Sequence, residues 1–328
     1  MATYKGIQGY SVQKLSSDPT ASEVEGQLWY NSTDYKFKIA IAGAGVWASG
    51  GAMLSNRRYC SIAGTQATAV TTGGGPDTAG TFLETETYDG TSWTISPGTM
   101  GSDKHNWGGL GQTGAAAMAT GGSGYITLCE TWNGSSWSEG NNNLTGRTFN
   151  SAAGTTTSAI MASGETPGSP NSLDTETWNG TSWSQQNDIN TGGYLTGHGS
   201  ADNSASAWFI VGGTDRGIQT EVWNGTSWSE QADLSRPSST TAGMGSAGSS
   251  TLGMVFGGRP SFSALTEQWD GTSWTEVADL ATARAVLGGC GSSTSALASG
   301  GKPSVPAISL ATEEWTDPVY VIKTVTVS

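Results

Sequence analysis

The stretch Thr175-Glu-Thr-Trp-Asn-Gly-Thr-Ser-Trp183 returns along the chain almost unchanged. It is preceded by Thr85-Glu-Thr-Tyr-Asp-Gly-Thr-Ser-Trp93 and Cys129-Glu-Thr-Trp-Asn-Gly-Ser-Ser-Trp137. It is followed by Thr220-Glu-Val-Trp-Asn-Gly-Thr-Ser-Trp228, Thr266-Glu-Gln-Trp-Asp-Gly-Thr-Ser-Trp274 and a truncated copy, Thr312-Glu-Glu-Trp315. Trp137 and Trp183 are 46 residues apart, and Trp183 and Trp228 are 45 apart. A period of this length marks stacked or radially arranged supersecondary units. Positions that repeat are scaffold, so function is to be sought where the copies differ.

One repeat reads as four short strands. Ala207-Trp-Phe-Ile-Val-Gly-Gly213 is an apolar run closed by two glycines, a buried strand and its turn. Gln219–Trp223 is the next strand, Asn224-Gly225 a turn signal, and Thr226–Glu230 the returning strand. Thr240–Met244 is rich in small residues and is expected to be an innermost strand. The order is A, B (ending in Gly-Gly), then the Trp hairpin C and D. The Gly-Gly pair recurs at Gly73, Gly121, Gly212, Gly257 and Gly300, and becomes Ser163-Gly164 in one copy. The aromatics Tyr88 and Trp93, Trp132 and Trp137, Trp178 and Trp183, Trp223 and Trp228, and Trp269 and Trp274 are expected to face one another across each hairpin as structural glue. A sugar-binding aromatic platform is the other reading of these pairs, and identical repetition favours packing over it. Asn133, Asn179 and Asn224 match the glycosylation acceptor pattern, but Asp89 and Asp270 replace them in two copies, as hairpin turns allow.

Four-strand units of this length, with Gly-Gly after the second strand and an aromatic pair about five apart, resemble the kelch family of β-propellers. The resemblance covers roughly residues 44–316 and implies blades set radially around a channel. The expected fold class is therefore all-β, a six-bladed propeller with a short N-terminal β-hairpin segment over residues 1–43. The family often has a bulkier loop between its C and D aromatics than the minimal one here. Trp47 lies 46 residues before Trp93 and lacks A and B strands of its own. Residues 44–49 are thus expected to close the last blade beside Trp315, with Val319–Val327 the competing strand; residues 317–328 are otherwise a C-terminal strand or tail, an added edge or docking strand.

Gly26–Lys38 reads as a hairpin turning near Ser32–Asp34. With Gly43–Trp47, it resembles a short module common in tail and fibre proteins of tailed bacteriophages, marine ones especially. That resemblance implies a virion protein attached to other tail proteins through residues 1–43, in multiple copies per particle.

Composition narrows the rest. Only 12% of residues are charged, 49 of 328 are Gly, and the formal net charge is −13. No basic patch suited to nucleic acid is evident. No stretch approaches the about 20 apolar residues of a membrane span, and the first residues lack the apolar core of a signal peptide. The expectation is synthesis in a host cytoplasm and residence in a virion. Cys60, Cys129 and Cys290 show no pairing pattern and read as small buried side chains.

Catalysis finds no foothold. His105 and His198 do not make a metal site, and the cysteines do not match the ligand pattern of the kelch-related copper oxidases. No nucleophile elbow or P-loop occurs. Glu86, Glu130, Glu176, Glu221, Glu267 and Glu313 recur in every C strand, which makes them scaffold, with Arg57, Lys104, Arg147, Arg236 and Arg284 as candidate partners. No enzyme activity, cofactor or metal is expected. The B–C loops do vary: Pro76–Gly80, Ser123–Tyr125, Glu165–Pro170, Thr214–Gly217, Arg259–Phe262 and Lys302–Pro306. Loops on a rigid scaffold are where recognition sits, so Tyr125, Arg216, Arg259, Phe262 and Lys302 are the candidate ligand-binding residues. The expected function is a tail adhesin or decoration protein recognising a host-surface glycan or protein, with avidity from many copies. A cellular kelch-type interaction domain and a carbohydrate-active enzyme are the alternatives.

Overall fold

The computed structural model describes residues 12–20, 26–75, 83–102, 108–198, 207–238, 241–304, 307–317 and 320–326. Among them there is no α-helix. The strands are β1 (Gln13–Leu15), β2 (Leu28–Asn31), β3 (Lys36–Ala42), β4 (Val46–Ser49), then β5 (Ser61–Gly64), β6 (Ala69–Thr72), β7 (Glu84–Tyr88) and β8 (Trp93–Thr99). Next come β9 (Gly108–Thr113), β10 (Ala116–Thr120), β11 (Cys129–Trp132), β12 (Trp137–Glu139), β13 (Ser151–Gly154), β14 (Ala159–Ala162), β15 (Thr175–Trp178) and β16 (Trp183–Gln185). They are followed by β17 (Gly197–His198), β18 (Trp208–Val211), β19 (Thr220–Trp223), β20 (Trp228–Glu230), β21 (Gly245–Gly248), β22 (Gly253–Phe256), β23 (Thr266–Trp269) and β24 (Trp274–Glu276). The last are β25 (Gly288–Gly291), β26 (Ala296–Ser299), β27 (Thr312–Thr316) and β28 (Tyr320–Thr324).

The chain divides into two compact units, Met1–Val46 with Asp317–Ser328, and Trp47–Thr316. The C-terminal strand, read from the sequence as an added edge or docking strand, lies in the same unit as the N-terminal segment. The small unit is one sheet in the order β1-β2-β3-β28. β2 and β3 form the hairpin, with Tyr30 opposite Phe37, and β28 adds to β3 with Lys323 opposite Ile39. One face buries Trp29 and Ala40. There Asp18 accepts hydrogen bonds from Asn31 Nδ2 at 2.8 Å and Trp29 Nε1 at 3.0 Å, and Lys38 Nζ lies 3.8 Å away. The bond from Asn31, with help from Trp29 and Lys38, holds the Asp18 carboxyl below its ordinary pKa. Leu28, Phe37 and Ile41 stay exposed.

The described residues of the large unit form six four-stranded sheets: β5–β8, β9–β12, β13–β16, β17–β20, β21–β24, and β25-β26-β27-β4. The sixth sheet is completed by the strand that carries Trp47, next to β27. The first strands adjoin in order: β5 with β9, β9 with β13, β13 with β17, β17 with β21, β21 with β25, and β25 with β5. Crowding at these strands dictates small residues. A Cβ on Gly245 would lie 2.3 Å from the Phe256 ring, and one on Gly288 would lie 2.4 Å from Ile62. The innermost strand of the fifth sheet is accordingly Gly245–Gly248, five residues beyond the Thr240–Met244 expected from sequence.

Outside, the repeated hairpin explains itself. Trp132 pairs with Trp137, Trp178 with Trp183, Trp223 with Trp228, Trp269 with Trp274 and Tyr88 with Trp93 in strand register. Ring centroids in these pairs are 5.0–5.6 Å apart, and Trp47 meets Trp315 at 5.6 Å. The turn needs both of its fixed residues. Asn133 Oδ1 accepts the N–H groups of Ser135 and Ser136 at 3.0 and 2.9 Å, and Gly134 takes φ 94°, a conformation that disfavours a side chain. Asp89 and Asp270 make the same two bonds.

The D-strand indoles then join sheet to sheet. Trp93 Nε1 donates to Thr312, Trp137 to Thr85, Trp228 to Thr175 and Trp274 to Thr220 at 2.8–2.9 Å, and Trp47 to Thr266 at 3.2 Å. Each acceptor is the first residue of the C strand of the preceding sheet, or in the case of Thr85 the second. At the remaining junction that position is Cys129, and the buried Trp183 Nε1 has no hydrogen-bond partner. A buried, unsatisfied donor costs about 1–3 kcal/mol.

Candidate functional site

Two sets of side chains emerge on the end of the sheets where the A strands begin and the B strands finish. The first set is buried and closed to ligands. Arg57 pairs with Glu86 at 3.1 Å, Arg236 with Glu267 at 2.7 Å and Arg284 with Glu313 at 3.1 Å, and Arg147 pairs with Glu176. Each glutamate also accepts main-chain N–H groups from the loop that enters its sheet. Glu86 takes Leu54 at 2.8 Å and Ser55 at 3.1 Å; Glu267 takes Ser235 at 2.8 Å and Arg236 at 3.2 Å. Burial lowers the Arg236 and Arg284 pKa, and the facing carboxylates oppose that shift. A carboxylate so occupied is not a free acid or base. Lys104, expected to be the partner of Glu130, lies outside the described residues.

The second set lines a central recess of about 90 Å³. Tyr59, Phe149, Leu195, Gly243 and Val286 each sit two residues before an A strand, with φ between 53° and 63°. Four of these are not glycine, and Val is β-branched, so the conformation is strained by roughly 1–3 kcal/mol each. Main-chain bonds hold it. Tyr59 N donates to Val286 O at 3.0 Å, Val286 N to Gly243 O at 2.7 Å, and Gly243 N to Leu195 O at 2.8 Å. The side chains point over the recess as a result: Tyr59 and Phe149 rings lie 5.5 Å apart, and Phe149 and Tyr194 lie 5.8 Å apart. Strained backbone persists where the surroundings over-determine it, and it clusters at functional sites.

Beside this recess a second pocket, of about 170 Å³, is lined by Arg58, Tyr59, Arg259, Phe262, Val286 and Lys302 among others. Bridges between the strand entries and the B–C loops bring these together: Arg58 with Gly75, Ala242 with Arg259, and Ala285 with Lys302. The Arg58 guanidinium lies 4.8 Å from the centroid of the Tyr59 ring, and that of Arg259 lies 6.0 Å from it. Both are within reach of a cation–π attraction.

Of the sequence-predicted residues, Arg259, Phe262 and Lys302 therefore meet in one pocket. Tyr125 is 39% exposed on its own loop and lines neither cavity. Arg216 requires a correction. It is 3% exposed, paired with Glu221 at 3.0 Å, and it also donates to Thr191 O. The fourth sheet has Gly192-Gly193 where others carry an arginine ahead of strand A, and Arg216 comes back from the B–C loop to supply the missing guanidinium. The loop Pro76–Gly80 and His105 lie outside the described residues, as does the His198 side chain. Arg58, Tyr59, Phe149 and Tyr194 were missed because function was sought only in B–C loops. A signal for three of the strand entries existed: Arg57-x-Tyr59, Arg147-x-Phe149 and Arg284-x-Val286 repeat a bulky residue two after the arginine.

No family model and no curated protein matches this sequence. Among solved structures, that of YjhT is similar, with a TM-score of 0.65 over 84% of this chain and 99% of that one, at 13% identity. The fold is a β-propeller. At that identity the likeness speaks for the propeller alone. Among the described residues no three of His, Cys, Asp and Glu are grouped to hold a metal ion. The three cysteines are buried and free, and burial pushes the Cys60 and Cys290 thiols up in pKa, away from thiolate chemistry. What the propeller offers a ligand is a rigid face with aromatic rings and cationic side chains.

Proposed function

We propose that this chain is a closed, six-bladed kelch-like propeller that serves as a non-catalytic recognition protein of a bacteriophage tail. It would bind a host-surface glycan or protein with the face around Tyr59 and join neighbouring tail proteins through the small unit. The observation that carries the recognition role is the pocket of Arg58, Tyr59, Arg259, Phe262 and Lys302, built on loops that differ between sheets whose hairpins do not. Closure is supported by the adjacency of β25 and β5 and by Trp47 donating to Thr266. The tail setting rests on the resemblance of Gly26–Lys38 and Gly43–Trp47 to phage tail modules. The exposed Leu28, Phe37 and Ile41 supply an apolar surface for attachment. Repeated weak contacts on one particle give avidity.

The test is attachment of the fluorescently labelled full chain to candidate host cells and to virions stripped of it. Binding to cells that is lost with Arg259→Ala plus Phe262→Ala supports recognition by this face. Binding to stripped virions that is lost with Phe37→Asp supports the attachment role. Binding to neither removes the proposal.

A further inference from the structure

We infer that the central recess is a subsite for the acetamido group of a neutral, N-acetylated hexosamine carried on a surface glycan. Taking the ligand to be a glycan rests on the recognition reading; the choice of sugar rests on the hydrogen bonding, charge and size of the recess.

Ser151 and Thr196 line the recess and are 1% and 6% exposed. Their hydroxyls are hydrogen-bonded to each other. Two hydroxyls carry two protons, and the bond between them uses one. The second O–H has no acceptor among the described residues. A buried donor left without an acceptor is destabilising, so this lining calls for an acceptor oxygen. Water can meet that demand in the free protein, and a ligand that displaces it must bring an acceptor of its own. The neighbouring Asn150 amide is already engaged: Oδ1 accepts Gly108 N at 3.2 Å, and Nδ2 donates to Thr120 O at 3.3 Å.

Charge and size narrow the group further. No Asp, Glu, Lys, Arg or His lines the recess, and an ion without a partner is costly to bury. The seated group is therefore neutral. The volume of about 90 Å³ is a few times the roughly 30 Å³ that a water molecule takes in the liquid. That is room for a substituent of a few heavy atoms, not for a pyranose ring. Leu195, Met244, Val286 and Leu287 give the recess apolar walls. An acetamido group answers both demands, its carbonyl oxygen accepting from the hydroxyls and its methyl packing on the aliphatic side chains. A hydroxyl or hydroxymethyl group brings a further O–H donor and no methyl. The ring that bears the group has its place next door, since the pocket of about 170 Å³ shares Tyr59 and Val286 with the recess. A 3.0 Å main-chain bond holds those two residues together. Phe262 adds an aromatic wall there for the apolar face of a sugar.

Calorimetric titration of the full chain tests this with two trisaccharides of one linkage, fully N-acetylated chitotriose and cellotriose, which differ only in acetamido against hydroxyl at C2. The methyl glycoside of N-acetylgalactosamine covers the other epimer at C4. An acetylated probe is expected to bind at least about tenfold more tightly than cellotriose. In saturation-transfer NMR its acetyl methyl should be the most strongly saturated group. Ser151→Ala with Thr196→Val removes both hydroxyls together and strands no donor, so the urea midpoint should hold while binding weakens about tenfold. Tyr125→Ala, outside the recess, should leave binding unchanged. A chain that attaches to cells through the Tyr59 face but binds no acetylated probe, or binds cellotriose equally, overturns the subsite and spares recognition. Acetylated-probe binding that survives the double variant overturns it too. Acetylated-probe binding by a chain that attaches to no cell keeps the subsite and removes the host-recognition reading. Binding of N-acetylalanine amide with no sugar bound moves the ligand to a peptide and overturns the glycan assignment.

Discussion

The hairpin belt and the strand-entry face are made by the same six sheets, yet they vary in opposite ways. On the belt, five indoles reach a threonine hydroxyl in the preceding sheet through the same bond, and one altered residue, Cys129, leaves Trp183 without an acceptor. On the face, five strand entries share one backbone conformation while carrying Tyr59, Phe149, Leu195, Gly243 and Val286. The belt conserves side chains because each bond joins two sheets. The face conserves only main chain, so its side chains are free to be selected for a ligand. The Arg–Glu ring lies between the two extremes: in the fourth sheet the ion pair is kept while its arginine moves to Arg216.

That comparison breaks first at the ion pairs. Arg236→Met strands the buried Glu267 carboxylate and should lower unfolding stability by about 3–5 kcal/mol in urea titrations, whereas adding Glu267→Leu should recover most of the loss. Arg216→Ala should cost a similar amount; a near-zero change would mean that it behaves as an ordinary loop residue and that the exchange of one arginine for another is illusory. Smaller effects follow on the belt. Thr220→Val removes the acceptor of Trp274 Nε1 and should cost about 1–3 kcal/mol, and Cys129→Thr should gain about 1 kcal/mol by giving Trp183 a partner. Equal effects of these two changes in the same direction would end the account of the odd junction.

Alkaline pH probes the seam between the first and sixth sheets. Burial, then the hydrogen bond and charge of Glu314, push the Tyr88 hydroxyl up to about 12. A raised folded-state pKa means the contribution is intact below the free tyrosine value of about 10 and is lost as pH climbs from there through about 12. Tyr88→Phe should therefore flatten the decline of stability in that window, followed by circular dichroism. The smallest stability effect is expected on the face: Arg259→Ala with Phe262→Ala should change unfolding by no more than about 0.5 kcal/mol, while ligand binding falls.

Much of the architecture was legible because it is repetitive. The Trp pairs and the Asn-Gly turns recur at fixed offsets and the glutamates at a fixed place in each C strand, and physical necessity at one copy predicts the others. Arg57, Arg147, Arg236 and Arg284 were legible as partners of the C-strand glutamates for that reason. Arg216 was misread because a loop position implies exposure, and only the absence of an arginine before β17 reveals the demand it meets. Tyr59 and Phe149 escaped notice because function was sought in the B–C loops, although each stands two residues after a repeated arginine, Arg57 and Arg147. The offset of β21 was missed because Thr240–Met244 and Gly245–Gly248 are both small-residue runs, and what separates them is the space left by Phe256 and Leu287.

The closing strand also has a mechanical meaning. The chain enters the large unit at Trp47 and leaves it at Thr316, and the two strands involved, β4 and β27, are hydrogen-bonded neighbours. The small unit is built from segments on either side of the large one, so two main-chain connections join the units. Tension applied between the two units is shared by two covalent tethers in parallel. Both tethers emanate from one sheet, whose neighbours are joined to it by the running chain, by the indole bonds and by the main-chain bonds of the strand entries.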